Sequence, residues 1–79
     1  MAAPVFTLLS RPECHLCEEF LDAMRECSPE AAAQTTIEDV DSRPDWQKRF
    51  GLRIPVLIDH NGAVVCEGIF DPGKLADRL

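Results

Sequence analysis

Apolar and polar positions fall in short blocks along this chain, and the period changes from block to block. Val5-Phe6-Thr7-Leu8-Leu9 is a nearly continuous apolar run, bounded by Pro4 and by Ser10-Arg11-Pro12. A run of that length fits a strand buried on both faces better than a helix. From Leu16 the period becomes helical. With successive residues about 100° apart, Leu16, Cys17, Phe20, Leu21, Ala23, Met24 and Cys27 share one arc. Glu18, Glu19, Asp22, Arg25 and Glu26 fill the opposite arc. The pattern predicts a helix over 16–27. Ser28-Pro29 ends it, because the residue before a proline is pushed out of helix. Glu30 to Gln34 fit either an extension of that helix or a loop.

Thr35 to Val40 are β-branched enough for a second strand. Pro44 suits the first position of a short helix carrying Trp46 and Phe50 on one face, with Gly51 as its stop. Ile54 to Ile58 form another apolar run with Pro55 at its start. Asn61-Gly62 marks a hairpin that returns through Ala63-Val64-Val65-Cys66. Asp71 and Pro72 then suit the N-cap and first residue of a closing helix, and Phe70 and Leu75 occupy its staple positions. The expected order is β-α-β-α-β-β-α. Its first half is a βαβ unit, so those strands should be parallel with a right-handed crossover.

The length, 79 residues, leaves room for one domain, expected over 1–79, with a compact core. Hydrophobic residues at 46% and charged residues at 28% suit a globular chain rather than a disordered one. The net charge of −6 disfavours nucleic acid, which needs clustered Lys and Arg, and disfavours an anionic membrane surface. No apolar stretch is long enough to span a bilayer. The start, Met1-Ala2-Ala3-Pro4, lacks the basic region of a secretory signal. A cytoplasmic location is expected, where thiols rest reduced and a close pair serves catalysis or metal binding.

Four cysteines therefore carry the candidate chemistry: Cys14, Cys17, Cys27 and Cys66. Cys14 and Cys17 form a C-x-x-C where the first strand ends and the first helix begins. A helix N-terminus offers unpaired N–H groups and the positive end of a dipole, which stabilise a thiolate there. The thiolate is the attacking species in disulfide exchange. Cys14 precedes the first turn and should point outward, whereas Cys17 lies in the apolar arc. Cys14 is thus the expected nucleophile and Cys17 the resolving thiol. Arg11 favours the thiolate; Glu13, Glu18 and Glu19 oppose it.

A C-x-x-C also serves as half of a zinc site, with two further ligands drawn from His15, His60, Cys27 and Cys66. None of these shows a second motif-like spacing. Cys27 and Cys66 read most simply as small core residues, His15 as a spacer that tunes the thiolate when protonated, and His60 as a turn residue. Pro55 fits either a trans proline at a strand start or a cis peptide.

Together these elements resemble the thioredoxin fold, an α/β class with a mixed four-stranded sheet packed by helices. Within it the chain is most similar to small bacterial glutaredoxin-like proteins. The resemblance rests on Ser10-Arg11-Pro12-Glu13-Cys14-His15-Leu16-Cys17-Glu18, on Arg53-Ile54-Pro55-Val56-Leu57, and on Gly68-Ile69-Phe70-Asp71. It implies a thiol–disulfide oxidoreductase that reduces protein or glutathione mixed disulfides. Glutathione is then a co-substrate rather than a bound cofactor, and glutathione or a thiol reductase is the electron donor. It also implies a cis peptide at Pro55, main-chain pairing of the substrate by Ile54, and glutathione contacts from Arg11 and Asp71. A monomer is expected. The chain departs from the family pattern in His15-Leu16 between the cysteines and in Arg53 ahead of Ile54-Pro55. Ile69 stands in place of a glycine, and Pro72 in place of a second acidic residue. Ile69 adds bulk where backbone approach is close, and Pro72 lacks an N–H; both bear against tight glutathione binding. The rival reading is a non-catalytic module of the same fold that uses the C-x-x-C to hold a metal or iron–sulfur cluster, or to sense redox state.

Overall fold

The structure, a computed structural model, describes residues 5–79. The first residues of the expected 1–79 domain, with Pro4 and the start used to argue location, lie outside the described residues. Strand β1 spans Phe6–Ser10 and runs into helix α1, His15–Cys27. A short helix α2, Pro29–Ala33, leads to β2, Thr35–Asp39. A 3-10 turn at Val40–Ser42 precedes α3, Pro44–Phe50. Strands β3, Val56–Ile58, and β4, Val64–Glu67, form a hairpin, and α4, Pro72–Ala76, closes the chain.

The four strands form one sheet in the order β2-β1-β3-β4. β1 and β2 are parallel, with Leu8 opposite Ile37; β3 is antiparallel to both β1 and β4. This is the mixed four-stranded sheet expected of a thioredoxin-like fold, packed by four helices where the sequence order had three. Alternation along the central strands divides the core in two. Phe6, Leu8 and Leu57 face a cluster with Phe20 and Met24 of α1, Ala31 of α2 and Leu75 of α4. Leu9, Val56 and Ile58 face the other side, where Val40 and Phe50 pack. Both central strands are therefore covered on both faces, which is why they read as continuous apolar runs.

Several local outcomes refine the sequence reading. Residues 29–33 form a separate helix, neither a loop nor an extension of α1. Ser28 closes α1, its N–H reaching the Met24 carbonyl, and caps α2 by accepting the Ala31 N–H at 3.3 Å. β2 ends one residue early, and Val40 turns inward as the buried start of the 3-10 turn. The Asn61-Gly62 hairpin forms, but its loop is not the two-residue type. Gly62 donates to the Asp59 carbonyl and carries φ 81°, the pattern of a type I turn followed by a glycine bulge. Asp59 imposes this by accepting the N–H groups of both Asn61 and Ala63 on its carboxylate. A second bulge shifts the β3–β4 register between Leu57 and Ile58, so neighbouring Val65 and Cys66 are both buried.

α1 buries only part of its apolar arc. Cys17, Phe20 and Met24 are buried and Leu21 is partly covered. Leu16, Ala23 and Cys27, on one flank of the arc, are exposed. The expectation that Cys27 is a core residue is thus corrected. The sheet covers a stripe narrower than the apolar arc, and Cys27 falls outside it. Cys66 is buried as expected. Asp71 caps α4 by accepting the Gly73 and Lys74 N–H groups, and Phe70 and Leu75 share the first core cluster. Phe70 meets Phe20 edge-to-face at 5.5 Å, which ties the loop before α4 to α1.

Candidate active site

Arg11-Pro12-Glu13-Cys14 is a tight turn, closed by the Cys14 N–H on the Arg11 carbonyl at 3.2 Å. Proline at its second position and a positive φ of 63° at Glu13 are the signature of a type II turn. A glutamate in the left-handed region costs about 1–2 kcal/mol. Glycine would remove that cost but adds about 0.5–1 kcal/mol of chain entropy. Glu13→Gly should therefore stabilise the fold by about 0.5–1 kcal/mol, measurable as a higher thermal midpoint.

The turn delivers Cys14 as the N-cap of α1. Its Sγ accepts the Cys17 N–H at 3.2 Å. The sulfur thus sits where a serine or aspartate oxygen usually caps a helix, among unpaired N–H groups that favour negative charge. Cys14 and Cys17 are joined by a disulfide, their Cα atoms 5.2 Å apart. Cys14 is half-buried, whereas Cys17 is only 4% exposed. The inequality expected from the apolar arc is present.

Both cysteines line a cleft of about 220 Å³, together with Arg11, Glu13, Glu18 and Ile37. His15 opens α1 and is exposed, with its ring nitrogens 3.7 Å from Glu18 and 3.8 Å from Glu19. The Ile54–Pro55 peptide is cis. The Pro55 carbonyl accepts the Gly68 N–H at 2.8 Å, which couples the loop before β3 to the loop before α4. Beneath that second loop lies Cys66, whose buried thiol is pushed up in pKa by desolvation.

Arg11 engages a partner that sequence reasoning missed. Its guanidinium forks onto the Asp41 carboxylate at 2.8 and 2.9 Å, and donates to the Gly51 carbonyl at 2.6 Å. Gln47 donates to the same carboxylate. One side chain therefore pins the active-site turn to the 3-10 turn and to the end of α3. Gly51 ends α3 as expected, but with φ −54° rather than in the left-handed region. A Cβ there would lie 2.5 Å from the Gln47 carbonyl oxygen and 3.2 Å from Arg11 Nη2. Close approach, not turn conformation, is what requires glycine.

The Arg11 hydrogen bonds hold the Asp41 carboxyl below its ordinary 3.8. A lowered carboxyl pKa adds stability above the unfolded value, and that stability is lost as pH falls through the folded value. Asp41→Asn should therefore leave the protein less stable at neutral pH. It should also flatten the loss of stability below about pH 4, as read from thermal midpoints between neutral and acidic pH.

The model for the glutaredoxin-like domain (DUF836) matches residues 5–79. The chain belongs to this glutaredoxin-like family. Protein Ne2328 from Nitrosomonas europaea, solved by solution NMR, matches with a TM-score of 0.85 at 20% identity, covering 100% of this chain and 94% of that one. Protein XcR50 from X. campestris, solved by X-ray crystallography, matches with a TM-score of 0.71 at 29% identity, covering 92% of each chain. No curated protein matches the chain. Among the described residues of this glutaredoxin-like domain, no three His, Cys, Asp or Glu side chains group as a metal site, and no helix is long and apolar enough to cross a membrane.

Proposed function

We propose that this glutaredoxin-like domain is a thiol–disulfide oxidoreductase of a reducing compartment such as the cytoplasm. The observation that carries this reading is the placement of the Cys14 sulfur. It caps α1, accepts the Cys17 N–H, opens to the cleft and is bonded to a far less exposed partner thiol. In the reduced state the α1 N–H groups favour a Cys14 thiolate. That thiolate attacks a substrate disulfide, forms a mixed disulfide and releases one substrate thiol. Cys17 then attacks Cys14 Sγ, forms the Cys14–Cys17 disulfide and releases the second thiol. Two electrons pass from the protein to the substrate, and glutathione or a thiol reductase returns them.

Ile54 and Pro55 supply main chain along which substrate backbone lies, and His15 adjusts the field at Cys14 when protonated. Asp71 fixes the α4 end of the substrate groove. Arg11 acts chiefly through the turn it pins, since its fork is held by Asp41. Steady-state reduction of a protein disulfide tests the reading, with glutathione and an NADPH-linked reductase as alternative donors. Multiple turnovers with either donor support it. A rate no higher than uncatalysed exchange with both would overturn it.

A further inference from the structure

The uncovered flank of α1 does not face open solvent alone. Leu16 and Ala23, with Phe20 behind them, form one wall of a groove of about 290 Å³, and Ile69 and Phe70 form the other. Leu16 is 57% exposed and Ile69 83% exposed, so two large apolar side chains stand at the mouth of this groove. Leu16 lies between the two cysteines in the chain, so one wall of the groove starts within two residues of both, while the cysteines themselves line the separate cleft. Glu19 lies on its rim, and Glu13 and Glu18 line the cleft that holds the cysteines. The nearest basic side chain in that cleft, Arg11, has its charge met by Asp41. The surroundings of the disulfide are thus apolar on one side and net acidic.

Resting on the oxidoreductase reading, we infer that the groove takes a disulfide-bearing protein segment with a bulky apolar residue next to its cysteine and basic residues beyond. It discriminates against glutathione. Two facts give this occupant its chemistry. Leu16 and Ile69 can bury apolar surface only against a side chain that glutathione does not have. The three glutamates attract a cationic segment and repel a tripeptide whose two carboxylates outweigh its one amine. Ile69 becomes a specificity residue: it walls the groove with apolar surface opposite Leu16.

The exchange step balances without an added oxidant. The Cys14 thiolate attacks one sulfur of a symmetric peptide disulfide. The peptide S–S bond breaks, a Cys14–peptide disulfide forms, and the second peptide leaves as a thiolate that takes a proton from water.

The test uses the Cys17→Ser, Cys27→Ser double variant, which stops at that step and removes the exposed competing thiol. Adduct formation at Cys14 is followed by mass spectrometry with three disulfides. They are a peptide dimer with leucine beside cysteine and two lysines, the same dimer with serine and glutamate in their places, and glutathione disulfide. The leucine–lysine dimer should react at least about tenfold faster than either of the others, the ratio expected from partial burial of one large apolar side chain. Ile69→Gly in the same background should lower the ratio of leucine–lysine dimer to glutathione disulfide several-fold, leaving the part owed to Leu16 and the glutamates. Equal rates for all three disulfides, or a ratio untouched by Ile69→Gly, would overturn the inference while leaving the exchange chemistry intact. No adduct at Cys14 with any of them would overturn both the inference and the oxidoreductase reading beneath it.

Discussion

Cys14→Ser should remove all catalysed turnover while leaving the fold and its stability close to those of the reduced parent. The two halves of that result have separate causes. Serine is among the preferred N-cap residues, and its oxygen can accept the Cys17 N–H as the sulfur does. Helix α1 therefore keeps its cap. A serine hydroxyl is not ionised near neutral pH and does not exchange with disulfides, so the chemistry goes with the sulfur. Cys17→Ser should behave differently. It should complete the first attack and then stall as a stable mixed disulfide, because no second thiol is placed to release the substrate. Steady-state rates, circular dichroism and intact mass on the two variants separate these outcomes. Wild-type turnover in Cys14→Ser would remove Cys14 from the mechanism.

Phe50→Ala should be the most destabilising single change on the second face of the sheet. Phe50 is 1% exposed and packs in a cluster of five buried residues with Leu9, Val40, Val56 and Ile58. The Arg49 and Arg53 guanidinium groups lie 4.7 and 5.3 Å from its ring centroid. Removing a buried phenylalanine ring costs about 3–5 kcal/mol through lost transfer energy and the cavity left behind. Domains are stable by about 0.05–0.15 kcal/mol per residue, so a 79-residue chain has about 4–12 kcal/mol in all and this change removes a large share of it. The thermal midpoint should fall by about 4–8 °C for each kcal/mol, that is by more than about 12 °C. Because Gly51 follows Phe50 and its carbonyl holds Arg11, the folded variant should also have a looser active-site turn. A drop in midpoint of only a few degrees would mean that the second core is less cooperative than its burial implies.

The parts of this molecule legible in the sequence are those whose cause is local. The both-faces burial of β1 and β3 shows as unbroken apolar runs. The placement of Cys14 ahead of α1, and of Cys17 within it, follows from helical period alone. Asp71-Pro72 with Phe70 and Leu75 announces the start of α4 because cap, first residue and staple are all within one turn. Ser28-Pro29 carried the same kind of signal for α2: a serine N-cap followed by proline at the first position. It reads ambiguously because it also ends α1.

What was not legible depends on residues far apart in the chain. Arg11 and Asp41 are separated by 30 positions, and only the parallel β1–β2 pairing brings the ends of those strands together. Nothing in either local sequence distinguishes that pair from solvated charges. The exposure of Cys27 has a similar origin. Helical period identifies an apolar arc, but the width of the sheet decides how much of it is covered. The excess width, Leu16 and Ala23, is the surface that borders the groove beside the cysteines. The bulk of Ile69 ahead of α4 was visible in the sequence; that its side chain stands exposed across from Leu16 was not.

In the proposed chemistry Cys14 and Cys17 form a reversible redox couple. A glutathione redox titration, with alkylation and mass mapping at each poise, tests it most directly. Two alkylatable thiols should disappear together as the poise becomes oxidising, map to Cys14 and Cys17, and both return on reduction. A pair that stays alkylatable at every poise would contradict it.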